Sequence, residues 1–247
     1  MSGKANHAQH QDTYFISLND LLVGLLFIFI VLLMTYSLIF QDSVDKLEDK
    51  LTERVEMRTS LLERIRADLC EAGYEAEVIP GEGVLRLPEG VLFAPGQAFL
   101  GERARGALDI IADALGEELP CFGSERDAAS CAENTAAILE AVYIEGHTDD
   151  LAINTPQFRS NWELSSARAI ATYNYMINAD GALKELPNAN GSATLLGASA
   201  YADTRRVAKS EQPNAAERAQ NRRVDFRFLL SPASEEDVEA AAIEAAN

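Results

Sequence analysis

Residues 14–40 read YFISLNDLLVGLLFIFIVLLMTYSLIF, and Asp20 is the one Asp, Glu, Lys or Arg among them. The twenty residues that follow Asp20 are dominated by Leu, Ile, Phe and Val. As a helix rising 1.5 Å per residue they extend ~30 Å, the thickness of a hydrocarbon core. A carboxylate inside such a helix costs about 2.5–3.5 kcal/mol at the bilayer centre, so it calls for a partner, a bound cation or a bound proton. Two readings follow for Asp20. It is an ion-carrying acid on a path through the membrane, or a helix-start acid at headgroup depth, favoured by the helix dipole.

The run is too long for a signal-peptide core and no small-x-small cleavage site closes it, which predicts an uncleaved single-pass anchor. Orientation is less direct. Lys4 precedes the span, whereas Lys46, Lys50, Arg54 and Arg58 follow it, so a literal positive-inside count places the long C-terminal part in the cytoplasm. Those bases alternate with Asp42, Asp45, Glu48, Asp49, Glu53 and Glu56, and long domains translocate largely regardless of charge. Across the chain 21 Lys and Arg face 39 Asp and Glu, a net charge of −18. That balance excludes nucleic acid as an expected partner, because phosphate binding needs clustered positive charge. The three histidines and three cysteines form no zinc-ligand spacing, and no metal is expected.

Beyond the span, Val44, Leu47, Leu51, Val55, Leu62, Ile65 and Leu69 recur at mostly three- and four-residue steps. This amphipathic stripe predicts a helix ending near Gly73, with pairs such as Asp42–Lys46 on its solvated face. A stripe needs a partner; a short coiled coil with a second copy, or a helix lying over the mouth of the span, supplies one. Strands are expected at Val84–Pro88, Val142–Gly146, Ala193–Tyr201 and Arg223–Leu230, and helices at Phe99–Glu118 and Asn161–Ile177, an α/β (α+β) sandwich. The predicted layout is a tail at 1–13, the span at 14–40, a charged amphipathic helix and linker at 41–79, a globular domain at 80–231 and an acidic tail at 232–247. Cys121 and Cys131 flank a short polar insert, which suits a disulfide in an oxidising compartment and two free thiols in a reducing one. Cys70 is left over, free or paired across a dimer axis.

Three motifs carry the chemistry: IEGHTDD at Ile144–Asp150, NWELSSARA at Asn161–Ala169 and NRRVDF at Asn221–Phe226, preceded by Leu92-Phe93-Ala94-Pro95-Gly96. In these the chain resembles the OmpA-like peptidoglycan-binding domain, and more narrowly the periplasmic domain of MotB-type stator proteins. The resemblance covers about residues 82–230. It implies a periplasmic domain that holds the diaminopimelate of peptidoglycan stem peptides, with Asp149 and Arg168 as the ligand-binding pair, Thr148 and Asn161 beside it, and Arg222 in the closing motif. Residue types agree, since a zwitterion needs a carboxylate for its ammonium and a guanidinium for its carboxylate. The alternative for Arg168 is a structural salt bridge with Asp149. His147, Leu164 and Ala169 read most simply as packing residues. No G-x-S-x-G elbow, Cys–His pairing or phosphate-cradling loop is present, so no enzyme is expected.

The resemblance also sets direction and partners: residues 1–13 cytoplasmic, the domain periplasmic, and a homodimer inside a ring of MotA-like multi-span subunits. In that family the intramembrane aspartate, here Asp20, carries the driving H+ or Na+; no other cofactor is implied. On the Asp20 face Ser17, Gly24, Phe27, Val31 and Thr35 follow at helical spacing. The span departs from the flagellar pattern. Asn19-Asp20-Leu21-Leu22-Val23-Gly24 stands where flagellar proteins carry a Met- and Phe-rich run, and the basic cytoplasmic stretch is missing. The chain is in this respect most similar to the MotB-like subunits (ZorB) of Zorya anti-phage systems, which implies a ZorA-like ring partner. A flagellar stator and a passive membrane-to-wall tether are the alternatives.

Overall fold

The structure, a computed structural model, describes residues 3–122, 131, 138–232, 238 and 243, with side chains from residue 19 onward. Most of the tail expected at 232–247, and the side chains of the tail expected at 1–13 together with Ser17, lie outside the described residues. Helix α1 runs Gly3–Glu71. Its stretch from Asn19 is long and apolar enough to cross a membrane, with none of the apolar window buried in the protein. Thr35 donates its hydroxyl to Val31 O at 2.9 Å, which occupies the only polar side-chain group beyond Asp20 on that stripe among the described residues. Lys46 and Asp42 pair at 3.1 Å, as the four-residue spacing predicts.

The compact folded unit spans Thr52–Pro232, so it begins inside the stretch read from sequence as linker. Here the expectation that the amphipathic stripe awaits an outside partner, a second copy or the mouth of the span, needs correction over its C-terminal half. Leu61, Leu62, Ile65 and Leu69 are 0–1 % exposed and belong to one core with Leu85, Leu87, Phe226 and Phe228. Arg58 fastens this part of α1, donating to Pro80 O at 2.9 Å and Phe228 O at 3.3 Å. Gly83, at φ +64°, lies so close to that guanidinium that an added Cβ would stand 2.5 Å from its Nη1. Arg64 pairs with Glu118 at 2.9 Å across the surface. The apolar periodicity was a core signal, and the core is this domain's own.

Strands β1 (Glu77–Ile79) and β2 (Val84–Pro88) form an antiparallel pair around a turn at Pro80–Gly83. After a one-turn helix α2 (Glu89–Leu92) comes α3 (Glu102–Glu118), which buries Ala104, Ala107, Leu108, Ile111, Ala112 and Leu115 along one face. Strand β3 (Leu139–His147), helix α4 (Asn161–Ala179), strand β4 (Leu196–Ala202), helix α5 (Ala215–Asn221) and strand β5 (Arg223–Leu230) complete the domain. The sheet order is β1-β2-β5-β3-β4, with β3 and β4 parallel and every other pair antiparallel. The observed fold is therefore the expected α/β sandwich with three elements added among the described residues, β1, α2 and α5. Cys121 and Cys131 are joined in a disulfide, and Cys70 is free and exposed.

Candidate ligand-binding site

Strand β3 ends at His147, and the next residues, Thr148 and Asp149, turn off the sheet where β5 begins. Thr148 is tied to β4 by its N–H, which donates to Ala202 O at 2.9 Å. Helix α4 crosses this end at very short range, because Gly146 offers no side chain: an added Cβ would lie 2.1 Å from Ser165 O. Ser160 caps α4, accepting from Glu163 N–H at 3.3 Å, a capping position legible as S-x-x-E. Asn161, Leu164 and Arg168 then share one helical face at spacings of three and four, turned toward the end of β3.

These elements enclose a pocket of about 410 Å³ lined by Thr148, Asp149, Asn161, Arg168 and Arg222, with Glu89, Leu151, Ile153, Gly96 and others. All five residues singled out from the motifs thus converge on one cavity. The two members of the expected ligand-binding pair are each held by other charges, so the alternative of a salt bridge between them does not form. Asp149 does not bind Arg168; its Oδ2 accepts from Arg222 Nη1 at 2.7 Å and its Oδ1 accepts from Leu151 N–H at 3.1 Å. Arg168, 1 % exposed, bonds to Glu89, and its Nε donates to Gln97 O at 2.8 Å. The Leu92–Gly96 element therefore wraps this guanidinium, with Phe93 under it at 5.3 Å and Ala94 O accepting at 3.3 Å. Glu89, 6 % exposed, also accepts from Arg222 Nε at 2.5 Å.

Glu89 is the residue that motif reading missed. It follows Pro88 in an unremarkable L-P-E-G stretch, and no local pattern marks it. Its N–H donates to Arg222 O at 2.9 Å, so the adjacency of β2 and β5 puts it there. Asn161, besides lining the pocket, has a structural role. Its Nδ2 donates to Asp149 O at 3.1 Å and Leu151 O at 3.0 Å, and its Oδ1 accepts from Ile153 N–H at 3.2 Å. It clamps the loop that presents Asp149.

Two carboxylates and two guanidiniums leave the pocket neutral, with charges of opposite sign a few ångströms apart. Burial lowers the Arg168 pKa, and Glu89 restores only part of it. Burial pulls that of Arg222 down as well, but its bonds to Asp149 and Glu89 outweigh this and leave it raised. Both guanidiniums stay charged at neutral pH, being far above it at the outset. Such a site suits recognition of a ligand that carries both an ammonium and a carboxylate.

Residues 124–222 match the family model described as "OmpA family". The chain is 26 % identical over 253 residues to the uncharacterized protein YtxE of Bacillus subtilis, with 91 % of each chain covered. It is 36 % identical over 94 residues to Motility protein B of the same organism, a match covering 38 % of this chain and 32 % of that one. A crystal structure of a MotB-like protein from Desulfovibrio vulgaris aligns at TM-score 0.52 and 22 % identity, covering 73 % of this chain and 98 % of that one, a likeness of fold. The chain carries an OmpA-like α/β domain with MotB-like homologues, placed behind a long apolar N-terminal helix.

Proposed function

We propose that this chain is the MotB-like subunit of an ion-driven inner-membrane motor, anchored to peptidoglycan by its OmpA-like domain. The observation that carries the anchoring role is the convergence of Thr148, Asp149, Asn161, Arg168 and Arg222 on one neutral, bipolar pocket. A diaminopimelate end group places its ammonium against Asp149 and its carboxylate against Arg222, the more accessible of the two guanidiniums at 30 % side-chain exposure. Arg168, wrapped by backbone carbonyls and Glu89, backs the site and holds its floor. Peptidoglycan as ligand puts the domain in the periplasm and residues 1–13 in the cytoplasm.

Asp20 then stands near the cytoplasmic end of the span and alternates between a charged and a proton- or Na+-bound form as the driving ion passes. The complex is a dimer inside a MotA-like ring, and residues 44–51, which precede the compact unit in sequence, pair the two copies. The span's Asn19–Gly24 sequence, unlike the flagellar pattern, favours a ZorA-like ring partner and a role in Zorya-type anti-phage defence over swimming. Ion flux tests the motor: with the MotA-like partner co-expressed, wild type should conduct, and Asp20→Asn should assemble normally and conduct nothing. Undiminished flux in Asp20→Asn would leave a passive tether between membrane and wall.

A further inference from the structure

A second, larger recess lies in the domain. A groove of about 860 Å³ is lined by Arg86, Arg205, Arg206, Lys209, Arg223 and Arg227, with Glu77 and Glu82 beside them. In a chain of net charge −18 this is a marked gathering of positive charge. Two buried carboxylates organise it. Asp225, 0 % exposed, accepts from Arg86 at 2.9 and 3.0 Å and from Arg223 Nε at 2.9 Å. Glu145, 1 % exposed, accepts from Arg227 Nε at 3.0 Å, with Arg205 at 3.9 Å. Four guanidiniums thus meet two buried carboxylates.

Arg206 is paired with Asp203 at 3.1 Å, and the other nearby carboxylates do little to consume the excess that is left. Glu77 and Glu82 reach Arg86 and Arg227 only at 3.8 and 3.6 Å and are 68 % and 58 % exposed. Exposed pairs of that kind contribute little and yield to a better anion. Lys209 has no ion-pair partner among the described residues. Arg205 is steadied on the Tyr201 ring at 3.5 Å, an interaction that leaves its charge uncancelled.

Glu145, His147 and Asp225 also bring three ligand-type atoms within 4.8 Å of one another. A dication there would share its carboxylates with Arg86, Arg223 and Arg227 and add two positive charges to a cluster already rich in them. The cluster calls for negative charge instead. We propose that the groove is a second ligand site of the domain, for a phosphate-bearing anion, distinct from the zwitterion pocket. The adjacent residues Arg222 and Arg223 divide between the two, one in each. Phosphate fits better than carboxylate because the donors converge from β2, from the 203–209 loop and from β5. A tetrahedral group offers oxygens in several directions where a carboxylate offers two in a plane. Such a group is found in a lipid headgroup, in an envelope phosphodiester polymer or in free phosphate.

The test is calorimetric titration of the full chain, held in phosphatidylcholine nanodiscs, with inorganic pyrophosphate, glycerophosphoglycerol and acetate at 50 mM and 500 mM NaCl. Pyrophosphate should bind with sub-millimolar affinity at low salt and at least tenfold more weakly at high salt, as expected of a charge-driven site. Acetate should bind at least tenfold more weakly than pyrophosphate. Arg205→Gln with Lys209→Gln, both exposed, should cost at least tenfold, whereas Asp149→Asn should change nothing in this titration. Glycerophosphoglycerol binding comparable to pyrophosphate assigns a diester source, and pyrophosphate binding alone assigns free phosphate. Absence of any phosphate binding at low salt, equal binding of acetate, or an unaltered double variant overturns the proposal. Because Asp149→Asn reports on the other pocket, failure there leaves this outcome readable.

Discussion

Arg222 holds Asp149 at 2.7 Å and at the same time reaches Glu89 at 2.5 Å. One guanidinium thereby links the turn after β3 to the helix after β2. Through Glu89 the link extends to Arg168 on α4. Four charges from four parts of the chain are balanced pairwise, and the ligand pocket is the space they leave.

Glu89 serves both guanidiniums, so its removal should damage folding before it damages binding. Glu89→Ala leaves the 1 %-exposed Arg168 without its carboxylate and is expected to cost about 3–5 kcal/mol, read from urea unfolding of the detergent-solubilised chain. A cost below 1 kcal/mol would mean that the backbone carbonyls of Ala94 and Gln97 suffice to hold that charge.

Asn161→Ala should release the Asp149–Ile153 loop while leaving α4 folded, since Ser160 provides the cap. Three hydrogen bonds are lost, one of them to the N–H of Ile153. Hydrogen exchange at Ile153 should accelerate at least tenfold, and stability should fall by about 1–3 kcal/mol. Unchanged protection at that amide would show that the loop holds itself.

Acid should weaken the domain through His147. This side chain is 0 % exposed, neither ring nitrogen has a hydrogen-bond partner, and Glu145 and Asp225 stand at 3.7 Å, too far to bond. Burial, joined by the charge of Arg223, holds its pKa below the ordinary histidine value. With the folded-state pKa depressed, the unfolded chain takes up the proton first. The contribution is present above pH ~6.5 and is lost as pH falls below it toward the folded-state value. The urea midpoint should drop between pH 7 and 5, and His147→Gln should flatten that slope. Asp225, whose pKa is lowered because its arginine bonds outweigh its burial, and Glu145, lowered against its burial by His147 and then Arg227, weaken the fold only at more acid pH. An identical slope in the variant would place the acid sensitivity elsewhere.

Much of this site could be read from one chain because its residues sit in contiguous motifs at element ends. IEGHTDD ends a strand, NWELSSARA opens a helix with its own cap signal, and NRRVDF opens the last strand. What sequence could not supply was who pairs with whom. Asp149 and Arg168 have complementary charges, but the register of β2 on β5 interposes Glu89 and Arg222. The apolar stripe of α1 likewise shows that a partner is needed and not which one, so Leu62, Ile65 and Leu69 read as a seam for a second copy or for the mouth of the span when they are domain core. Strand β1, with three residues, is too short to show a period, and α5, with seven, is held mainly by the Asn214–Glu217 capping box and the Arg218–Asp150 pair.

The pocket between Asp149 and Arg222 is expected to receive a peptidoglycan end group. Sedimentation of the full chain with purified sacculi containing diaminopimelate, wild type against Asp149→Asn, tests it most directly. The substitution keeps the shape and removes the charge that would face an ammonium. Wild type should co-sediment and be displaced by free diaminopimelate, and Asp149→Asn should bind at least tenfold more weakly at equal thermal stability. Equal co-sedimentation of the two proteins would contradict the account.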